Sequence, residues 1–126
     1  MEGVTMAINI TDQIISICKE TVGRAYRAWP QTAPATPYAV VSLIGRNVEQ
    51  ADADGSEIIV RMTFSIGIMA DRPSEAEDTA MRVADALATY NFHSTGFSGT
   101  YEEPNHFYRT NLTVDGAVDR RGNTFV

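Results

Sequence analysis

Cysteine is nearly absent from this chain: Cys18 stands alone, which excludes an internal disulfide and a thiolate metal cluster and fits a reducing compartment. Positive charge is also scarce. Ten Lys and Arg stand against sixteen Asp and Glu, for a net charge of −6, a balance that opposes the counterion release behind nucleic-acid affinity and offers no basic stripe to an anionic membrane. DNA near such a protein is expected to pass without specific binding. No apolar run approaches the ~18 residues of a membrane span, and no basic residue precedes Lys19, so neither a membrane segment nor a secretory leader is expected. The only histidines are His93 and His106; together with Glu102 and Glu103 they match no ligand spacing for a metal and read as exposed turn residues. No nucleophile is placed beside a base, and no glycine-rich loop is set to cradle a phosphate. These absences take the residue chemistry no further than a soluble domain, expected in a cytoplasm, for which no cofactor or metal is expected.

What the chain does have is hydrophobic pattern. Its 126 residues, 44% of them hydrophobic, suffice for one core, so residues 1–126 are expected to form a single domain. The central feature is Glu57–Ala70, where Val60, Met62, Phe64, Ile66 and Ile68 alternate with Arg61, Thr63, Ser65 and Gly67. Period-two alternation of this length predicts a long strand with one buried face. Phe64, Ile66 and Val60 are expected to share a core with Val83 and Leu87.

Ahead of that strand, the spacing of Ile14, Cys18, Thr21, Val22, Ala25 and Trp29 predicts a helix over Thr11–Trp29, with Thr11 as N-cap and Cys18 a buried structural thiol. Pro30, Pro34 and Pro37 then impose an extended connection. Tyr38–Ile44 reads as a short strand apolar enough on both faces to lie inside a sheet or under an assembly contact, and Gly45–Ser56 as a polar hairpin arm closed by Asp54-Gly55. Asp52-Ala53-Asp54-Gly55 lacks the further oxygen ligands of a calcium loop and reads as a solvated turn. Ser74 and Glu77 have capping-box spacing, which predicts a helix from Ser74 to about Tyr90 with Ala76, Ala80, Val83, Ala84 and Leu87 facing inward. Asn91–Gly99 reads as a loop leading to a short strand over Phe97–Glu102. His106–Val118 alternates as the last strand, and Phe125-Val126 forms an apolar end, frayed or docked on a neighbouring chain. The expected class is α+β, in α-β-β-α-β-β order, with a mostly antiparallel sheet and two helices packed on one face.

Three stretches resemble the tail-completion and tail-terminator proteins of long-tailed bacteriophages, across residues 37–118. Arg61-x-x-Phe64-x-Ile66-x-Ile68 is similar to that family's long strand. Ala80-x-x-Val83-x-x-x-Leu87 followed by Asn91-Phe92 is similar to its helix and the turn after it, and Tyr101-Glu102-Glu103 with Tyr108 and Leu112 to its last hairpin. Pro104-Asn105 stands where the family usually has an acidic residue and glycine. The resemblance implies a structural, non-catalytic protein that forms a homo-oligomeric, commonly hexameric, ring at the head-proximal end of the tail tube and joins the tail to the head. Its partners would be copies of itself, the tail-tube protein and a head-side connector. It would assemble in the host cytoplasm and reside in the virion tail.

The arm supplies the candidate oligomer contact. Arg46, Glu49, Asp52 and Asp54 could reach an adjacent subunit through charge pairs repeated around a symmetry axis. A competing reading is a small-molecule-binding or enzymatic α+β homodimer, with a pocket on the helix-free sheet face lined by Arg61, Tyr101 and Tyr108. That reading would show the same lack of a catalytic constellation.

Overall fold

The computed structural model describes residues 9–30, 32, 34–51, 58–103, 107–119 and 121–125. Nine elements follow in order: α1 (Ile10–Val22), β1 (Ala25–Tyr26), β2 (Tyr38–Ala51), β3 (Ile58–Ala70), α2 (Pro73–Ala88), β4 (His93–Phe97), β5 (Tyr101–Glu103), β6 (Phe107–Asp119) and β7 (Thr124–Phe125). The sheet runs β1-β2-β3-β6-β4, with β5 and β7 also paired to β6. Apart from the parallel β1–β2 pair, every pairing is antiparallel. The α+β class and the α-β-β-α-β-β order expected from the pattern are both present, with β1 and β7 as short additions.

The long strand has the faces its alternation predicts. Phe64, Ile66 and Ile68 are fully buried and pair across the sheet with Val114, Leu112 and Thr110 on β6 and with Leu43, Val41 and Ala39 on β2. Both helices cover this face, α1 over β1 and β2, and α2 over β3, β6 and β4. Ile14 and Cys18 from α1 and Ala80, Val83 and Leu87 from α2 complete the core, where each fully buried aliphatic or aromatic side chain stabilises by about 1.5–3 kcal/mol. The Phe64 and Phe92 rings meet edge to face at 5.9 Å. Val60 is buried but lies outside the cluster around Phe64. Burial pushes the Cys18 thiol up to about 12, consistent with a packing role.

Several boundaries differ from expectation. Helix α1 starts after an Asn9 cap, whose side chain accepts from the Asp12 amide at 3.2 Å; Thr11 is instead a buried first-turn residue. The helix ends at Gly23 and not at Trp29. Gly23 takes φ +104°, and its amide donates to the Lys19 carbonyl at 2.8 Å, a left-handed stop that glycine makes at little cost. The chain then enters β1, with Ala25 beside Ala39 and Tyr26 beside Val40.

Strand β2 runs on through Arg46, Asn47, Val48 and Glu49 to Ala51, so most of the expected polar arm is strand, paired to β3 through two bulges. In α2, Pro73 occupies the first turn and Arg72 is the N-cap, without a side-chain bond. Ser74 therefore lies inside the helix and makes no capping box. Glu75 reaches back to the Asp71 amide at 3.4 Å, and Glu77 accepts from Thr100. The expected strand over Phe97–Glu102 is two strands, β4 and β5, separated by residues 98–100. At the end of the chain Phe125 pairs with Ala117 in β7 where fraying or docking on a neighbour was expected.

Candidate functional site

The residues weighed for metal binding or a ligand pocket are dispersed. His93 is exposed on β4, and His106 lies outside the described residues. Among the described residues no group of three or more His, Cys, Asp and Glu is placed to hold a metal. Arg61 and Tyr108 do not share a pocket. Arg61 stands beside Ala117 on the helix-free face and Tyr108 beside Ala70 on the covered face, nine positions apart along β6. Tyr101 is opposite Arg109.

Arg61 joins three strands. Its Nε donates to Glu49 Oε2 on β2 at 2.8 Å and its Nη1 to Asp115 Oδ1 on β6 at 3.1 Å. The hydrogen bond to Glu49 raises the guanidinium above its ordinary value. Glu49, a candidate oligomer contact, is thus held by its own chain; Arg46 is exposed on the same strand. Asp52 and Asp54 lie outside the described residues.

Elsewhere on the helix-free face, residues after β1 fold back across the sheet. Trp29 lies over Gly67, where an added Cβ would stand 3.4 Å from its ring. The Arg109 guanidinium sits 4.3 Å from the Trp29 ring centroid, within cation–π range. Tyr38, Val40 and Met69 form a second apolar cluster with Tyr26 and Phe107, the two tyrosine rings meeting edge to face at 6.0 Å.

Among the described residues, both margins of the sheet keep edges with no strand paired outside them. On one side β1 pairs only with Ala39 and Val40; beyond Val40 no described strand pairs with the outer edge of β2. Along that free run Leu43, Ile44 and Val48 are 43%, 58% and 58% exposed. On the other side β4 is exposed along its whole length, and Phe97 stands with Met81 of α2, at 47% and 59% exposure. Between them opens a groove of about 350 Å³ lined by Glu77, Met81, Phe97, Ser98, Thr100 and Thr110. Its polar wall is fixed. Thr100 Oγ1 donates to Glu77 Oε2 at 2.8 Å and lies 2.7 Å from the buried Thr110 Oγ1. With the Thr100 proton given to the carboxylate, Thr110 is the donor in the second bond.

The margins also differ in charge. Exposed near β1 and β2 are Arg24, Arg27, Arg46 and Glu49, of which Arg27 is matched by Asp12 and Glu49 by Arg61. Helix α2 carries Glu75, Glu77, Asp78 and Asp85 against Arg82 alone, with Glu77 lining the groove. Reading the sequence left the Tyr38–Ile44 strand inside a sheet or under an assembly contact, and the structure leaves Leu43 and Ile44 exposed; Met81 and Phe97 were missed. Only the strand order shows which edges stay open among the described residues.

No family model matches the sequence, and no curated protein matches it. Among solved structures, the chain is similar to one in the virion of a native gene transfer agent (GTA) particle. The identity is 21%, 86% of this chain and 91% of that one are covered, and the TM-score is 0.47.

Proposed function

We propose that this protein is a structural component of a phage or prophage tail, a tail-completion or tail-terminator subunit. Copies form a ring, six in the assembled tail, at the head-proximal end of the tube. The ring stops tube growth and joins the tail to the head, contacting the tail-tube protein on one side and a head-side connector on the other. The observation that carries this reading is a sheet that, among the described residues, closes on neither side. Nonpolar side chains remain exposed at both margins, and a subunit with two such edges suits a repeating assembly. The family resemblance of residues 37–118 gives that assembly its place in the tail. The net charge of −6 suits a ring through which DNA passes without being held. Catalysis, a cofactor and a metal have no part in it, and assembly takes place in the host cytoplasm.

Native mass spectrometry with negative-stain imaging of the purified protein tests the proposal. Six-copy rings with an axial hole are expected. A compact dimer at all concentrations, carrying a bound small molecule, would overturn the ring in favour of a ligand-binding module.

A further inference from the structure

We infer that neighbouring copies meet head to tail, the free run of β2 in one subunit docking on the α2–β4 groove of the next. The inference rests on the ring reading above and deepens it by naming the contact. Three observations carry it. First, the exposed apolar side chains of the two margins fall into two unlike groups, Leu43, Ile44 and Val48 on one side and Met81 with Phe97 on the other. The order β1-β2-β3-β6-β4 sets these groups at opposite edges of one sheet. A twofold contact would bury one group against itself and leave the other in water, whereas a single head-to-tail contact buries both in every subunit.

Second, the margins complement each other electrostatically. Arg24 and Arg46 form no ion pair among the described residues, while α2 presents four carboxylates and one arginine. Among the described residues these charges favour approach of β2 to α2 over approach of either element to its own copy. Third, the receiving side is a formed groove of about 350 Å³ with an apolar mouth at Met81 and Phe97. Its wall is pinned by the Thr110–Thr100–Glu77 hydrogen bonds, so it does not have to be built on contact. Among the described residues no strand pairs with the outer edge of β4 or with that of β2 beyond Val40, so both edges are open to strand-to-strand pairing.

Ile44→Asp and Phe97→Asp separate this contact from its rivals. Both side chains are about half exposed, so each variant should melt as the parent does, and circular dichroism checks this. By native mass spectrometry each variant alone is expected to lose the assembled species and run as a monomer. Mixed one to one they are expected to give a dimer of unlike subunits and nothing larger, because the Phe97→Asp copy keeps a good β2 edge and the Ile44→Asp copy a good groove. Assembly retained by Phe97→Asp but lost by Ile44→Asp would show a twofold β2–β2 contact and overturn the inference. Retention by both, or no mixed dimer at concentrations where the parent assembles, would overturn it as well. Retention by both variants, or a missing mixed dimer, leaves the ring reading standing with its contact elsewhere; a twofold contact, which closes at two copies, or a parent protein that is monomeric at every concentration, would overturn the ring and the contact together.

Discussion

Along β3 the two sides of the sheet part residue by residue. Phe64, Ile66 and Ile68 are fully buried beneath the helices, while Arg61, Thr63 and Ser65 between them are only partly covered. The covered side is packed by side chains from five long elements and leaves no room for change. The helix-free side is held by a few particular contacts: Trp29 over Gly67, Arg109 over Trp29, and Arg61 between Glu49 and Asp115. The difference teaches that stability and surface are assigned to opposite faces of the same strands. One side fixes the fold, and the other, with the sheet margins, is free to be shaped for a partner.

The contrast can be broken most forcefully at Phe64. Phe64→Ala removes a fully buried ring from the centre of the covered side and is expected to cost about 3–5 kcal/mol, read as a fall in the urea midpoint; an unchanged midpoint would mean that the faces are misassigned. Gly116→Ala comes next. An added Cβ would stand 2.7 Å from the Asn91 carbonyl oxygen and 2.8 Å from the Phe92 ring, and since backbone cannot step aside cheaply the expected loss is about 1–3 kcal/mol. On the open side, Trp29→Ala should lower stability by only about 1 kcal/mol, because the side chain is half in water and its cation–π contact with the half-buried Arg109 is a single interaction of that order. A loss matching that of Phe64→Ala would erase the contrast.

The smallest effect is expected at Cys18. Its thiol is raised by burial from the ordinary 9.0 to about 12, so the folded state favours the protonated form. That contribution is fully present below pH 9.0 and is lost as pH climbs towards 12. At pH 8 a thiol reagent should leave Cys18 untouched until the protein unfolds, and labelling of the native protein would place the residue on an open surface.

The elements with strong local signals were legible in the sequence. The strand over 58–70 and its faces, the inward stripe of α2 and the buried Cys18 all follow from periodicity. Boundaries failed where one residue outweighed a pattern. Gly23 stops α1, yet Ala25 and Trp29 continue the helical spacing and conceal the stop; Pro73 moves the start of α2 ahead of Ser74, which turns a capping sequence into ordinary first-turn residues. Strand β2 was half hidden because its bulges, between Leu43 and Gly45 and between Val48 and Gln50, shift the alternation. Arg46, Asn47 and Glu49 then read as loop. The β3–β6 pairing at the middle of the sheet joins segments some fifty residues apart, and no local pattern announces it. The candidate assembly surfaces depend on that strand order, which is why the sequence suggested charged arm residues, left the apolar Tyr38–Ile44 strand open between a sheet interior and an assembly contact, and gave no sign of Phe97.

Trp29 is the only tryptophan in the chain, and its ring lies against Gly67 and Arg109 on the helix-free side. The intrinsic emission of this protein is therefore a local signal, sensitive to the strap across the open face and nearly blind to the interior beneath the helices. Ellipticity at 222 nm has the opposite bias, being dominated by α1 and α2. Followed together through denaturation, the two signals form a pair of optical probes, one for each side of the sheet. If the strap lifts before the helices melt, the emission transition will precede the ellipticity transition, and the gap between their midpoints will measure how independently the strap is held.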